Sequence, residues 1–320
     1  MVGVAGGQGR ASPGMSAPQS PGRAPRGPEG PQRCPGAEDP PSEASEAPAR
    51  KADKLSADER AAYEQAAPLW AAGPERLYAS LARALLACAV DAPAGGGLAG
   101  GGLAGWRVLD LGAGTGVAGR AAVAAGARSV VSADFAHGML RRCGVDLHPV
   151  AADATALPFR DGGFDLVLAA FCLGHLDRPG AGLREARRVS AALAASSFAP
   201  GWSHPAKAAV DDVLGSFGYR PPPWYVTFKR DAEPWASDPA ALGRDTAAAG
   251  FADVRLRTVT VDTGLSSPAQ LAGWRLGMAH VAPFVCSLPG GRQAELRQAA
   301  EAAVTGTSRL VVSMLVLIAR

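Results

Sequence analysis

Three carboxylates, Asp110, Asp134 and Asp153, recur along the middle of the chain, each close to the end of a short apolar run. The first lies inside residues 108–116, Val-Leu-Asp-Leu-Gly-Ala-Gly-Thr-Gly. That run reads as a buried strand entering a glycine-rich turn and then a helix. Glycine tolerates positive φ and has no Cβ, so such a turn lets backbone come close to a ligand. The helix that follows presents unpaired N–H groups at its start. A phosphate cradle gains nothing from an acid just before the turn, whereas a site for a cationic, ribose-bearing ligand does. Asp110 stands where an ammonium or sulfonium charge could be offset. Asp134 can accept two charge-assisted hydrogen bonds from a ribose diol, each contributing roughly 1.5–3 kcal/mol. Asp153 can accept from an exocyclic amine of adenine, with Met139, Leu157 and Phe171 available to sandwich the ring. A single carboxylate at a strand end is often a solvated loop residue or a helix N-cap. Three of them on successive strands of one sheet converge on one crevice.

Elements must hold those acids, and the sequence supplies them in alternation. Strands are expected at residues 106–111, 129–133, 147–151, 164–171 and 192–198, with helices at 117–125, 138–143 and 182–189. This alternation gives a parallel sheet with helices on both faces and a ligand crevice at the strands' C-terminal ends. Ahead of it, Ser56 to Glu59 reads as a capping box, and residues 59–66 and 75–88 as two helices broken at Pro68 and at Gly73-Pro74. Tyr63 and Trp70 read there as core packing. A Gly/Ala linker follows at 94–105. Beyond residue 200 helices are expected at 205–215, 239–250, 268–279 and 291–305, and strands at 251–262 and 310–319. Residues 220–238, rich in Pro and aromatics, read as a long loop.

Composition narrows the function. The chain has 320 residues, 48% of them hydrophobic, enough for a large core. Its 32 basic and 29 acidic residues give a net charge of +3, far from a nucleic-acid-binding profile. Five cysteines without a CxxC pair argue against a disulfide framework and a zinc site, and for a reducing, cytoplasmic setting. The first ten residues have no apolar run of the signal-peptide kind, and residues 310–319 are about half the length of a membrane span. Residues 1–54, rich in Pro, Gly, Ser and Arg, read as a disordered tail, with Met15 inside it as an alternative start. Residues 55–320 then form one domain: a helical cap at 55–105, a ligand-binding core at 106–198 and a substrate-side insertion with the last strands at 199–320.

Residues 108–116, the Asp-Phe-Ala-His-Gly-Met-Leu segment at 134–140, the Asp153 segment and Phe164-Asp-Leu-Val together resemble the class I S-adenosylmethionine-dependent methyltransferases. The likeness is to the type 11 branch, which includes ubiquinone- and menaquinone-biosynthesis enzymes. It implies a Rossmann-like α/β fold whose seven-stranded, mostly parallel sheet has helices on both faces and an antiparallel last strand, supplied by 310–319. It implies S-adenosyl-L-methionine as cofactor. Gly112, Gly114 and Thr115 would line its methionine and ribose portion, and Asp134 with Phe135 the ribose. Met139 would pack on adenine, Asp153 and Ala154 would bind the adenine edge, and Ala170 and Phe171 would lie beneath the sulfonium side. The sequence departs from the family at two places. The usual Pro-Gly-Gly turn before the fifth strand is replaced by Arg187-Arg-Val-Ser-Ala, and Ala136 stands where a capping Ser is common.

Methyl transfer to a hydroxyl or an acidic carbon is helped by a base. His175, just past the fourth strand, is the candidate, since an imidazole titrates near neutrality; the bland alternative is a His that packs or caps. Trp202, Trp224, Tyr225 and Trp235 could wall an aromatic acceptor pocket or merely pack the insertion. His137 is expected at the surface, and His204 and His280 lie in the insertion without a distinguishing feature. The expected partner is a small, apolar or aromatic methyl acceptor, with no nucleic acid and no membrane. Gly114-Thr-Gly-Val-Ala-Gly119 also satisfies GxGxxG, so a nicotinamide-dependent oxidoreductase is an alternative. It leaves Asp110 and the Asp153 segment unexplained. A non-catalytic S-adenosylmethionine-binding module is a third.

Overall fold

The structure, a computed structural model, describes residues 43–90 and 102–320, with side chains from residue 57 onward. The expected tail therefore lies outside the described residues up to position 42, as does most of the Gly/Ala linker.

The chain enters through two helices, α1 (Glu43–Ala72) and α2 (Pro74–Val90). The first does not begin at Ser56 and does not break at Pro68, which is exposed. The break falls at Gly73, where a Cβ would sit 2.1 Å from the carbonyl oxygen of Gly273. This elbow thus packs backbone to backbone on a later helix. In α2, Leu77, Leu81 and Leu85 recur on one face and are fully buried. Burying each contributes roughly 1.5–3 kcal/mol.

The sheet follows the expected alternation: β1 (Arg107–Leu111), α3 (Val117–Ala124), β2 (Ser129–Asp134), α4 (His137–Leu140), β3 (Pro149–Ala151), β4 (Leu166–Ala170), α5 (Pro179–Val189) and β5 (Leu193–Phe198). Later come α6 (Pro205–Ser216), α7 (Pro223–Thr227), α8 (Glu233–Ser237), α9 (Pro239–Ala248), β6 (Val254–Asp262), α10 (Pro268–Leu276), α11 (Ala282–Ser287), α12 (Gly290–Ala303) and β7 (Val311–Ala319). The spatial order is β3-β2-β1-β4-β5-β7-β6. The first five strands pair in parallel, and β7 runs antiparallel between β5 and β6. Strand order reverses at β1 and β4, where such sheets form a crevice beyond the strands' C-terminal ends. The apolar run at 310–319 is thereby explained: β7 is covered on both faces, while β6, at the edge, alternates and shows Arg255 and Arg257 to solvent.

Residues 220–238 are not a loop. They form α7, a five-residue π-helical turn at Phe228–Ala232, and α8. Prolines at the first helical positions of α7 and α8 start helices rather than breaking them, because the first turn has no use for their missing N–H. The absent Pro-Gly-Gly turn is replaced by residues 190–192, the first of them, Ser190, extended. Ser190 turns the chain between α5 and β5, its hydroxyl bonded to both the N–H and the carbonyl of Ala192.

Candidate active site

The glycine turn sits between β1 and α3, with Gly112, Gly114 and Gly116 at φ of 65°, 56° and 86°. Its shape is fixed from behind by the acids. Asp134, at the end of β2, accepts from the N–H of Gly114 at 2.7 Å and from that of Ala136 at 2.8 Å. Asp110, fully buried, accepts from the N–H of Gly119 at 2.7 Å, inside the first turn of α3. Burial pushes its carboxyl up to about 7 and also raises that of Asp134, against the hydrogen bonds that favour their charged forms. The third acid, Asp153, is exposed, and its Oδ1 accepts from the N–H and hydroxyl of Thr155.

These groups share one cavity of about 920 Å³. All but one of the residues expected at the cofactor lie on its wall: Asp110, Gly112, Gly114, Thr115, Asp134, Phe135, Met139, Asp153, Ala154, Ala170 and Phe171. Leu157 is not among them. It is buried in the core below, its N–H donating to Glu185 and its carbonyl accepting from Arg188. Tyr63 and Trp70, read as packing, also line the cavity. The capping hydroxyl missing at Ala136 is replaced from another helix: Glu64 of α1 accepts from the N–H of Gly138 at the start of α4.

A second cavity, of about 630 Å³, lies on the side of the insertion. Trp202, Trp224 and Tyr225 line it, whereas Trp235 turns away and donates its indole N–H to Asp245 at 2.8 Å. His204 is likewise structural, the N-cap of α6. His280 is buried on the cavity wall, stacked on Tyr225 at 3.6 Å, and burial drives its titration well below the ordinary imidazole value, so the ring is neutral. Burial also raises the phenols of Tyr63, Tyr78 and Tyr225, which stay protonated.

Four residues line both cavities: Tyr63, Tyr78, Phe171 and His175. Phe171 has φ of +55°, a sparsely populated conformation for a bulky residue, just past the end of β4. Its ring is held edge-on by Tyr78 and tilted against Phe198. His175 stacks on Phe228 at 4.4 Å, and its Nδ1 is 2.7 Å from Oε1 of Glu59 on α1. Sequence reasoning assigned Glu59 to a helix cap; nothing local tied it to a histidine 116 positions away.

Comparison with known proteins places the chain in a family. A methyltransferase-domain family model of type 11 matches residues 109–192. A demethylmenaquinone methyltransferase of Mycolicibacterium vanbaalenii is 36% identical over 169 residues, which are 48% of this chain and 72% of that protein. The chain belongs to the type 11 branch of the class I S-adenosylmethionine-dependent methyltransferases. A namesake from Clavibacter sepedonicus is 48% identical over 89 residues, 26% of this chain and only 36% of its own length. Among solved structures, an S-adenosylmethionine-dependent methyltransferase from Mesorhizobium loti is similar at a TM-score of 0.38 and 16% identity, over 68% of this chain and 92% of that one.

The residues of this methyltransferase fit S-adenosylmethionine. A Cβ on Gly114 would meet nothing within 4 Å, so the turn presents bare backbone to the cavity. The Thr115 hydroxyl is buried there without a partner among the described residues. The carboxylates of Asp134 and Asp153 stand with the apolar Met139 on the same wall. No helix among the described residues is long and apolar enough to cross a membrane.

Proposed function

We propose that the chain methylates a small aromatic acceptor held in the second cavity, with His175 taking the proton that the acceptor gives up. The observation that carries this reading is the meeting of the two cavities at Tyr63, Tyr78, Phe171 and His175. Bound in the first cavity, S-adenosylmethionine supplies an electrophilic methyl group on a good leaving group. Asp134 would hold the ribose, Asp153 and Ala154 the adenine edge, Met139 the adenine face, and the backbone of Gly112 and Gly114 the methionine portion. Aromatic side chains position the acceptor and keep water away, and positioning alone can supply up to roughly 7–11 kcal/mol of a barrier.

His175 has the features of a base. Nδ1 faces the Glu59 carboxylate, which fixes the tautomer with the proton on Nδ1 and leaves Nε2 as acceptor. The same carboxylate stabilises the imidazolium once Nε2 is protonated. The packing alternative accounts for the Phe228 stack but not for a carboxylate at hydrogen-bond distance. His280, although neutral, lines only the second cavity. The relatives' names point to a quinone-related ring as acceptor, and the tyrosine and tryptophan walls suit one.

His175→Ala is expected to leave binding of S-adenosylhomocysteine unchanged and to lower turnover on a hydroquinone acceptor by about 10²–10⁴. Glu59→Gln should lower it less. Calorimetry and release of S-adenosylhomocysteine measure the two effects, and unchanged turnover in His175→Ala would remove the base from the mechanism.

A further inference from the structure

One wall of the acceptor cavity carries two cations, Lys207 and Arg275, and the packing of Arg275 over the Trp274 ring at 5.4 Å accounts for only one of them. Arg275 on α10 is buried, 3% exposed, and its Nη2 donates to Oδ1 of Asp211 at 2.7 Å. Lys207, one turn before Asp211 on α6, donates to Oδ2 of the same carboxylate at 3.0 Å. Two cations on one carboxylate leave a positive charge in excess, and both Lys207 and Arg275 line the cavity. The other charged groups on this wall are accounted for. Lys229 pairs with Glu233, and Asp238, exposed, caps α9 through Oδ1.

A pair that served only to tie α10 to α6 would need no second cation and would have its remaining donors satisfied. Instead, Nε of Arg275 and the indole N–H of Trp274 are buried without a partner among the described residues. The hydroxyl of Ser196, in β5, is in the same condition, and all three residues line the acceptor cavity. Buried donors without acceptors are rare in native proteins, and their clustering on one ligand-sized cavity calls for an acceptor from outside the chain. A neutral ring oxygen, such as that of a hydroquinone, could accept from one such donor but would leave the excess charge unbalanced. An anionic oxygen group offers several lone pairs and balances the excess charge.

We propose that this cluster recognises a carboxylate carried by the aromatic acceptor, with Lys207, Arg275 and the Trp274 indole as donors; this rests on the second cavity being the acceptor site. The aromatic walls then hold the ring and the cationic wall sets its orientation toward His175. Lys207, Trp274 and Arg275 act as specificity residues and take no part in the chemical step.

The test uses the full chain with S-adenosylhomocysteine bound and three probes of one ring size: 3-hydroxy-2-naphthoate, its methyl ester and 2-naphthol. Calorimetry with S-adenosylhomocysteine alone comes first and reports on the cofactor site independently. The naphthoate is expected to bind at least tenfold more tightly than either neutral probe. Arg275→Met should abolish that preference. Because Arg275 is buried and paired, Lys207→Gln, whose side chain is 34% exposed, provides the second variant and should shrink the preference severalfold without loss of folding. Neutral probes binding as tightly as the naphthoate, binding of none of the three, or a preference unchanged in Lys207→Gln would overturn the proposal while S-adenosylhomocysteine binding stands. Absence of that binding would instead break the methyltransferase reading itself.

Discussion

The two halves of the site are built on opposite principles. The cofactor half is made of strand ends and backbone: three glycines at positive φ, and carboxylates whose hydrogen bonds go to main-chain N–H groups within a few residues of the turn. The half proposed to hold the acceptor is made of side chains from helices far apart in sequence. Tyr63 and Tyr78 come from the first two helices, Trp224 and Phe228 from the segment around α7, and Trp274 and Arg275 from α10. Backbone-built sites tolerate little change, because each atom has one place to be. Side-chain-built sites can be repacked, and helices holding them can vary while the sheet stays the same. A shared donor with variable acceptors is what such a division would produce.

The largest expected difference between the halves is in cofactor affinity. Asp134→Ala removes the carboxylate proposed to hold the ribose and the two hydrogen bonds that hold Gly114 and Ala136. Two charge-assisted bonds correspond to a loss of about 3 kcal/mol or more, at least a hundredfold in the affinity for S-adenosylhomocysteine. Trp224→Ala, on the acceptor side, should leave that affinity within about twofold. Calorimetry on the two variants decides it; equal losses would mean that the halves are not energetically separate.

The same division explains what could be read in the chain. The turn, the three acids and the alternation of strands and helices around them were legible because the signals that mark them are local: a strand period, a glycine position, a carboxylate two to twenty residues from its donor. The acceptor side was legible only by residue type. Trp202, Trp224 and Tyr225 were anticipated as aromatic walls, yet Trp235, equally aromatic, bonds to Asp245 instead. Glu59 reaches His175 across 116 positions, and Arg275 reaches Asp211 across 64, and no spacing rule encodes either. The segment at 220–238 misled for a local reason: its prolines sit at helix starts, where they read as loop signals.

The buried acids of the cofactor half also give it a pH dependence opposite in sign to that of the buried, neutral His280 in the other half. The carboxyl of Asp110 has an ordinary value of 3.8 and is raised to about 7 in the fold by burial. An acid with a raised folded pKa binds its proton in the native state when the unfolded chain has already lost it. Stability is therefore greatest below pH 4 for this group and falls as pH rises from about 4 to about 7, then levels off. The shift bounds the change at about 4 kcal/mol. Asp110→Asn, which keeps an oxygen for the Gly119 N–H, should flatten the slope over that interval. Urea denaturation of the cofactor-free chain at pH 5 and pH 8 measures it, and an equal slope in wild type and variant would assign the pH dependence elsewhere.

A last comparison separates strain from ligand contact within the turn itself. Gly114 and Gly116 both have positive φ, so alanine at either costs roughly 1–2 kcal/mol in backbone conformation. Their surroundings differ. A Cβ on Gly116 would lie 2.6 Å from Sγ of Cys143 and 2.7 Å from Cδ1 of Leu147, which adds overpacking of about 1–3 kcal/mol. A Cβ on Gly114 would meet nothing within 4 Å and would project into the cavity that Gly114 lines. Gly116→Ala should therefore lower the melting temperature more than Gly114→Ala does. S-adenosylhomocysteine affinity should move the other way, falling at least tenfold in Gly114→Ala relative to what each variant's stability loss accounts for. If both substitutions lowered stability and affinity in the same proportion, the turn would act only as a structural hinge, and the bare backbone at Gly114 would have no role in holding the cofactor.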